Sequence, residues 1–124
     1  MTSKINLLIT GATGFVGREL VRSLLLTKKF NIKITKRSDK IYFNENVVEF
    51  NFGNLENFVD KKNILNNIDI IIHLAGRAHQ VGNKKKDYFE KYQKANQYSI
   101  SNLANLASKS GVKKFIFLST LKVN

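Results

Sequence analysis

Three glycines at regular spacing, Gly11, Gly14 and Gly17, give the sequence its strongest chemical signal. They lie between an apolar run that ends at Thr10 and a segment with apolar residues at helical spacing. In such a turn the first glycine allows a tight bend, the second lets the backbone approach a pyrophosphate, and the third lets the helix pack closely. The helix N-terminus would then present free N–H groups to the phosphates. The pattern predicts a dinucleotide site; it is not a P-loop, because no Gly-Lys-Ser/Thr follows.

A hydroxyl group near the end of the chain is the second candidate. Thr120 follows the apolar run Phe115 to Leu118, at the kind of position where parallel sheets bind ligands. It could hydrogen-bond a substrate hydroxyl while a hydride leaves the adjacent carbon, but the reaction then needs a separate base. His79 is a candidate substrate contact, whereas His73 is expected to be a buried, hydrogen-bonded histidine. Two histidines do not make a metal site, and none is predicted.

Predicted strands and predicted helices alternate along the chain, and these elements must position the candidate residues. Apolar runs separated by helical patterns predict a parallel sheet with helices on both faces, the doubly wound α/β class. Residues 1–124 are expected to form one domain. The predicted strands are Ile5–Thr10, Ile32–Thr35, Val47–Phe50, Ile68–Leu74 and Lys114–Ser119, and the predicted helices follow Gly11, follow Asn54, and run from about Tyr88 to Lys109.

Composition limits the function classes. The chain has 124 residues and no cysteine, so disulfides, thiolate metal sites and a cysteine nucleophile are excluded. No signal-peptide pattern or membrane-length apolar run occurs, which favours a cytoplasmic protein without membrane contact. The formal net charge is +12. Because the basic residues are scattered rather than gathered on one helix, a lysine-rich solvated surface is favoured over nucleic-acid binding, and a positive surface also suits a nucleotide.

The motifs resemble one known family. TGATGFVG, Thr10 to Gly17, is similar to the cofactor loop of the extended short-chain dehydrogenase/reductases, the NAD-dependent epimerase/dehydratase group. IIHLAGRAH and FLSTLKVN resemble its fourth and fifth strand segments. The resemblance implies a Rossmann-type sheet of about five strands in the order 3-2-1-4-5, truncated before the substrate domain. It also implies that Thr120 is catalytic, that Asn96 lies in helix four, and that hydride transfer occurs at a carbon of a nucleotide sugar.

The family's base, a Tyr followed four residues later by Lys, is missing from these residues. Tyr88, Tyr92 and Tyr98 all lack that Lys. The 124 residues alone are therefore expected to be nearly inactive. A non-catalytic dinucleotide-binding module is the alternative. The resemblance further implies a homodimer at full length and leans toward surface-polysaccharide epimerases.

The choice between NAD and NADP stays open. Lys36 and Arg37 end the second strand and could hold a 2′-phosphate, while the nearest acid, Asp39, lies beyond it. Charge thus favours NADP, whereas the resemblance favours NAD. Asn51 and Phe52 would contact the adenine or form a simple turn. The predicted cofactor-binding residues are Gly11, Thr13, Gly14, Phe15, Val16, Gly17, Lys36, Arg37, Asn51, Phe52, Leu74, Ala75, Gly76 and Asn96.

Overall fold

The computed structural model describes residues 3–43, 46–51, 64–74 and 101–118. Within these ranges residues 101–109 are helical. The predicted helix after Asn54 and the first part of the helix predicted from Tyr88 lie outside the described residues. The remaining elements are β1 (Ile5–Thr10), α1 (Phe15–Thr27), β2 (Phe30–Lys36), β3 (Val47–Asn51), β4 (Ile70–Leu74) and β5 (Lys114–Leu118).

The strands form one parallel sheet in the order β3-β2-β1-β4-β5. This confirms the predicted 3-2-1-4-5 arrangement and the doubly wound α/β class. Because every strand runs in the same direction, all the strand ends that precede a loop or helix lie at one edge, here called the carboxyl edge. Ligands of such sheets bind outside this edge where the strand order reverses, which in this sheet is between β1 and β4.

Apolar residues cover both faces of the sheet, as expected for strands that are apolar throughout. On the face packed by α1, the side chains of Leu7, Ile9, Val21 and Ile34 form a buried cluster. On the opposite face, the helical residues 101–109 contribute to a second cluster. Its buried members are Leu8, Ile64, Leu65, Ile68, Ile71, Leu103 and Ala107.

Two strand starts differ from the sequence prediction, and β2 and β3 each run one residue past their predicted ends. β2 begins at Phe30, two residues before the predicted start, because Phe30 pairs with Ile5 at the start of β1. β4 begins at Ile70 rather than Ile68. Ile68 is buried, as its hydrophobicity suggested, but its N–H donates to the Leu65 carbonyl in a turn rather than to a neighbouring strand.

The length of α1 is that of an ordinary helix in a globular protein. α1 has 13 residues and ends at Lys28, whose φ of 60° places it in the left-handed region. None of the helices in the four described ranges is long and apolar enough to cross a membrane.

Candidate dinucleotide site

Gly11 follows β1 and lies against the end of β4 at the carboxyl edge. Its φ is +77°, a conformation that L side chains rarely adopt. A Cβ atom placed on Gly11 would lie 2.6 Å from the carbonyl oxygen of Leu74, the last residue of β4. A side chain would therefore strain the backbone and push β4 away, so the first glycine is needed for both conformation and space.

Gly17 lies in the first turn of α1 and is buried. A Cβ atom on it would lie 2.5 Å from the Cα of Ala12 and 2.8 Å from the Ala12 carbonyl oxygen. The sequence argument assigned this glycine to packing of the helix on the sheet. In the structure the tight contact is with the glycine turn itself, so Gly17 sets the distance between the turn and the helix that leaves it.

Gly14 is the N-cap of α1 and makes no tight contact. Its φ and ψ are −78° and 178°, and apart from its chain neighbours no heavy atom lies within 4 Å of the position that a Cβ would take. No side chain caps this helix end and no acid lies in its first turn. The first N–H groups of a helix have no partner within the helix. Open space before a bare helix N-terminus fits the close approach of a pyrophosphate.

The side chains that follow Gly14 face solvent rather than the core. Phe15 is 76% exposed and Val16 is 55% exposed, while Thr13 is partly exposed. The buried residues of α1 are Gly17 and Val21. Two exposed apolar residues at the carboxyl edge are available for contact with a ligand.

A buried polar pair lies directly behind the glycine turn. The Thr10 hydroxyl and His73 Nδ1 share a hydrogen bond, and the two residues are 0% and 5% exposed. The His73 ring stacks on Phe117 at 5.7 Å between centroids. Burial lowers the pKa of His73 to about 4, so its imidazole is neutral at pH 7. His73 is thus the buried, hydrogen-bonded histidine that the sequence predicted.

The neighbouring ends of β2 and β3 carry charged side chains. Lys36 pairs in register with Asn51, the last residue of β3. The Lys36 ammonium lies 3.0 Å from a Glu49 carboxylate oxygen and 2.8 Å from the carbonyl oxygen of Lys40. Both side chains of this ion pair are only 8% exposed. Lys36, predicted to hold a phosphate, is therefore engaged inside the protein.

Glu49 also holds the backbone that follows β2. Its carboxylate accepts hydrogen bonds from the N–H groups of Tyr42 and Phe43, at 3.1 Å and 2.8 Å. Burial alone would raise the pKa of Glu49, but the two backbone hydrogen bonds and the Lys36 ammonium outweigh it and lower that pKa. The carboxylate therefore stays ionised at neutral pH.

Asp39 lies beside β3 although it follows the end of β2. The Asn51 side-chain amide donates to an Asp39 carboxylate oxygen at 2.9 Å. Arg37, which lies between this acid and the buried Lys36 in sequence, is exposed. Both an exposed guanidinium and a positioned carboxylate thus belong to the segment that leaves β2 at the carboxyl edge.

The structure brings together several of the predicted site residues that lie in the described ranges. Gly11 and Leu74 are in direct proximity, and the Lys36 and Asn51 positions are paired at the ends of β2 and β3. Six of the predicted residues lie outside the described ranges: Phe52, Ala75, Gly76, His79, Asn96 and Thr120.

Sequence reasoning did not identify Glu49 as a site residue, and it placed Asp39 beyond the end of the second strand, where the structure also has it. A signal for Glu49 existed. It is the only acid in β3, and it lies on the same side of the strand as Val47 and Asn51, opposite the basic end of β2. Its contacts with residues 36, 42 and 43 cross from one element to another, so spacing alone does not reveal them.

The doubly wound sheet, the glycine turn at its carboxyl edge and the bare N-terminus of α1 define a Rossmann-type domain of the dinucleotide-binding class. The model of the NAD dependent epimerase/dehydratase family matches residues 7–123. The chain belongs to this family.

Similar proteins agree with this membership. A UDP-glucose 4-epimerase from Vibrio cholerae is 36% identical over 119 residues, which cover 96% of this chain and 36% of that protein. The yeast methylglyoxal/isovaleraldehyde reductase Gre2, solved in complex with NADPH, superimposes with a TM-score of 0.70 at 14% identity, covering 91% of this chain and 36% of that one. A short-chain dehydrogenase from Leptospira borgpetersenii with bound NAD+ gives a TM-score of 0.65 at 19% identity, covering 86% and 46%.

The chain therefore spans less than half the length of each of these three proteins. At these identities the two solved structures show the shared fold. The family match and the geometry of the glycine turn support a dinucleotide-binding module.

Proposed function

We propose that this chain binds a nicotinamide dinucleotide as the cofactor-binding part of a nucleotide-sugar epimerase or dehydratase. The observation that carries the proposal is the glycine turn: Gly14 leaves open space in front of an uncapped helix N-terminus. The family match supports the nicotinamide cofactor, and the two solved neighbours contain NADPH and NAD+. When bound, the cofactor would accept a hydride from a sugar carbon and return it.

In this proposal, each part of the described site has a separate task. The N–H groups at the start of α1 bind the pyrophosphate, and exposed Phe15 and Val16 cover it. Arg37 and Asp39 compete at the adenosine end, because a guanidinium favours a 2′-phosphate and a carboxylate accepts hydrogen bonds from a free ribose hydroxyl. The sugar nucleotide as substrate is supported by the epimerase relative and the family match.

The remaining predicted residues keep the roles that the resemblance gave them. Thr120 would be the catalytic hydroxyl, His79 a substrate contact, and Asn96 a residue of the helix beside the cofactor. Phe52, Ala75 and Gly76 would complete the cofactor pocket. The domain would cover residues 1–124 of a cytoplasmic enzyme that forms a homodimer at full length.

Calorimetric titration of the purified chain with NAD and NADP separately tests this function. We expect saturable binding of at least one of the two with one site per chain. Binding of neither at millimolar concentrations would contradict the proposal. AMP serves as the control ligand, because it lacks the pyrophosphate and should bind more weakly than either dinucleotide.

A second candidate function is a non-catalytic module that binds the dinucleotide without turning over a sugar. It is supported by the glycine turn, which provides for dinucleotide binding without any contribution from a base. The coding DNA downstream of Asn124 separates the two candidates. An in-frame Tyr-x-x-x-Lys within about a domain's length would support the enzyme, and its absence would support the module.

A further inference from the structure

One carboxylate makes three of the contacts that hold residues 36–43, the described segment at the start of the β2–β3 connection. Glu49 accepts from Tyr42 N–H and Phe43 N–H and pairs with the Lys36 ammonium, all within 3.1 Å. These contacts bridge six, seven and thirteen positions in sequence. One side chain in β3 therefore fixes both ends of the segment 37–43, which contains Arg37 and Asp39.

The same carboxylate keeps the Lys36 ammonium inside the protein. That ammonium donates to Glu49 and to the Lys40 carbonyl, and its side chain is 8% exposed. Moving it to a phosphate at the surface would break both contacts and leave Glu49 buried without its cation. Removing one partner of a buried ion pair is strongly unfavourable, so Lys36 is unavailable to a ligand while Glu49 is ionised.

Arg37 differs from Lys36 both in its exposure to solvent and in its ion pairing. Its side chain is exposed, and it takes part in none of the ion pairs of the described ranges. The nearby Asp39 carboxylate is fixed by Asn51. With Lys36 neutralised by Glu49, residues 36–43 present two exposed cations, Arg37 and Lys40, and the Asp39 carboxylate, instead of three cations and one carboxylate.

We propose that Glu49 is a positioning residue for cofactor selection: it withdraws the Lys36 charge from the adenosine end and sets the segment that carries Arg37 and Asp39. This inference rests on the proposed binding of a nicotinamide dinucleotide. Glu49 touches no cofactor atom in this account and acts through Lys36 and through the backbone of residues 42 and 43. Its effect appears as the ratio of the NAD and NADP dissociation constants rather than as affinity alone.

The test compares Kd values for NAD and NADP in the wild-type chain, Glu49→Gln, Lys36→Gln and the double variant. Glu49→Gln releases the Lys36 ammonium, and we expect the ratio to shift toward NADP by about fivefold or more, since a phosphate binds an added cation. The double variant should return the ratio to near the wild-type value. Lys36→Gln alone leaves the Glu49 carboxylate without its cation, so it should lower stability and should not shift the ratio toward NADP.

Amide hydrogen exchange at Tyr42 and Phe43 gives a readout that does not depend on binding. Glu49→Gln should speed exchange at both amides, whereas Lys36→Gln should affect them less, because the carboxylate remains. Should Glu49→Gln fail to fold, the double variant still decides the matter, because it removes both charges: a selective loss of NADP affinity in that variant would overturn the proposal. An unchanged ratio in a folded Glu49→Gln variant would also overturn it.

Failure of this role is separable from failure of the proposed function. A wild-type chain that binds neither dinucleotide contradicts both. A wild-type chain that binds normally, together with equal weakening of NAD and NADP in Glu49→Gln, would leave the dinucleotide site intact and reduce Glu49 to a purely structural residue.

Discussion

The two ends of the candidate site differ in whether backbone or side chains determine their shape. At the β1–α1 turn the shape comes from backbone: Gly11 and Gly17 are needed because a Cβ would lie 2.6 Å or less from neighbouring atoms. At the ends of β2 and β3 the shape comes from side chains, with Glu49 holding Lys36 and Asn51 holding Asp39.

Under the proposed function this difference gives the two ends different tasks. A backbone turn binds the pyrophosphate, which every dinucleotide contains, and offers little opportunity for selection. Charged side chains contact the part of the cofactor that differs between NAD and NADP. Substitutions in the turn should therefore change binding of both cofactors together, whereas substitutions near Arg37 should change their ratio.

The largest effect is expected at Gly17. In Gly17→Ala the new Cβ would lie 2.5 Å from the Ala12 Cα. Since backbone atoms of the turn must move, we expect a loss of at least about 3 kcal/mol of unfolding free energy and no measurable binding of either cofactor. Urea denaturation and calorimetry check both. Ser23→Ala, at an exposed position of the same helix, is the control and should leave both unchanged.

A pH-dependent effect on stability is expected from His73. Its pKa is lowered to about 4 by burial, so between that value and its ordinary pKa of 6.5 the unfolded chain binds the proton and the folded chain does not. The stabilising contribution is therefore complete above pH 6.5 and is lost as the pH falls toward 4. Its full size is at most about 3 kcal/mol.

Denaturation of wild-type and His73→Gln chains across this pH window measures that contribution. The wild type should lose more stability than the variant as the pH is lowered from 6.5. Parallel pH profiles for the two chains would show that His73 is not buried in its neutral form. Because His73 lies behind the turn, the substitution should affect NAD and NADP equally.

A smaller and selective effect is expected at Arg37. In Arg37→Gln the affinity for NADP should fall about tenfold, because a charge-assisted contact with the 2′-phosphate is lost, while the affinity for NAD should hardly change. Lys29→Gln removes the same charge from an exposed residue next to the start of β2, at the opposite edge of the sheet. An equal loss of NADP affinity in both variants would mean that NADP binding depends on the overall charge of the chain and not on a contact with Arg37.

The smallest effect is expected far from both ends of the site. Glu19 and Arg22 form an ion pair on α1 with side chains 58% and 59% exposed. Glu19→Gln should change the unfolding free energy by less than about 0.5 kcal/mol and leave both dissociation constants unchanged. A selective change in NADP affinity would show that the selection extends beyond the β2–β3 ends.

The sequence was sufficient to predict those parts of the fold and the site whose contacts are local in the chain. Spacing predicted the strand–turn–helix unit, because β1, the glycines and the amphipathic α1 are consecutive in the chain. The strand order followed from family resemblance and is confirmed. The role of Glu49 was missed because its partners lie six to thirteen residues away in other elements.

The central claim is that the backbone at Gly14 binds the cofactor, and two alanine substitutions test it most directly. Gly14→Ala adds a Cβ in open space at an ordinary φ of −78°. We expect stability to change by less than about 1 kcal/mol, while affinity for both dinucleotides falls at least about tenfold, because the Cβ would occupy the space that the pyrophosphate approaches.

Gly111→Ala is the matched control. Its Cβ position is also open, but its φ is +82° and it lies next to the start of β5, away from the carboxyl edge. It should cost about 1 kcal/mol of stability without changing affinity. Calorimetric titration and denaturation of the two variants should therefore give opposite results, with Gly14→Ala folded but weak in binding and Gly111→Ala less stable but binding normally. Wild-type affinity in a folded Gly14→Ala chain would contradict the account.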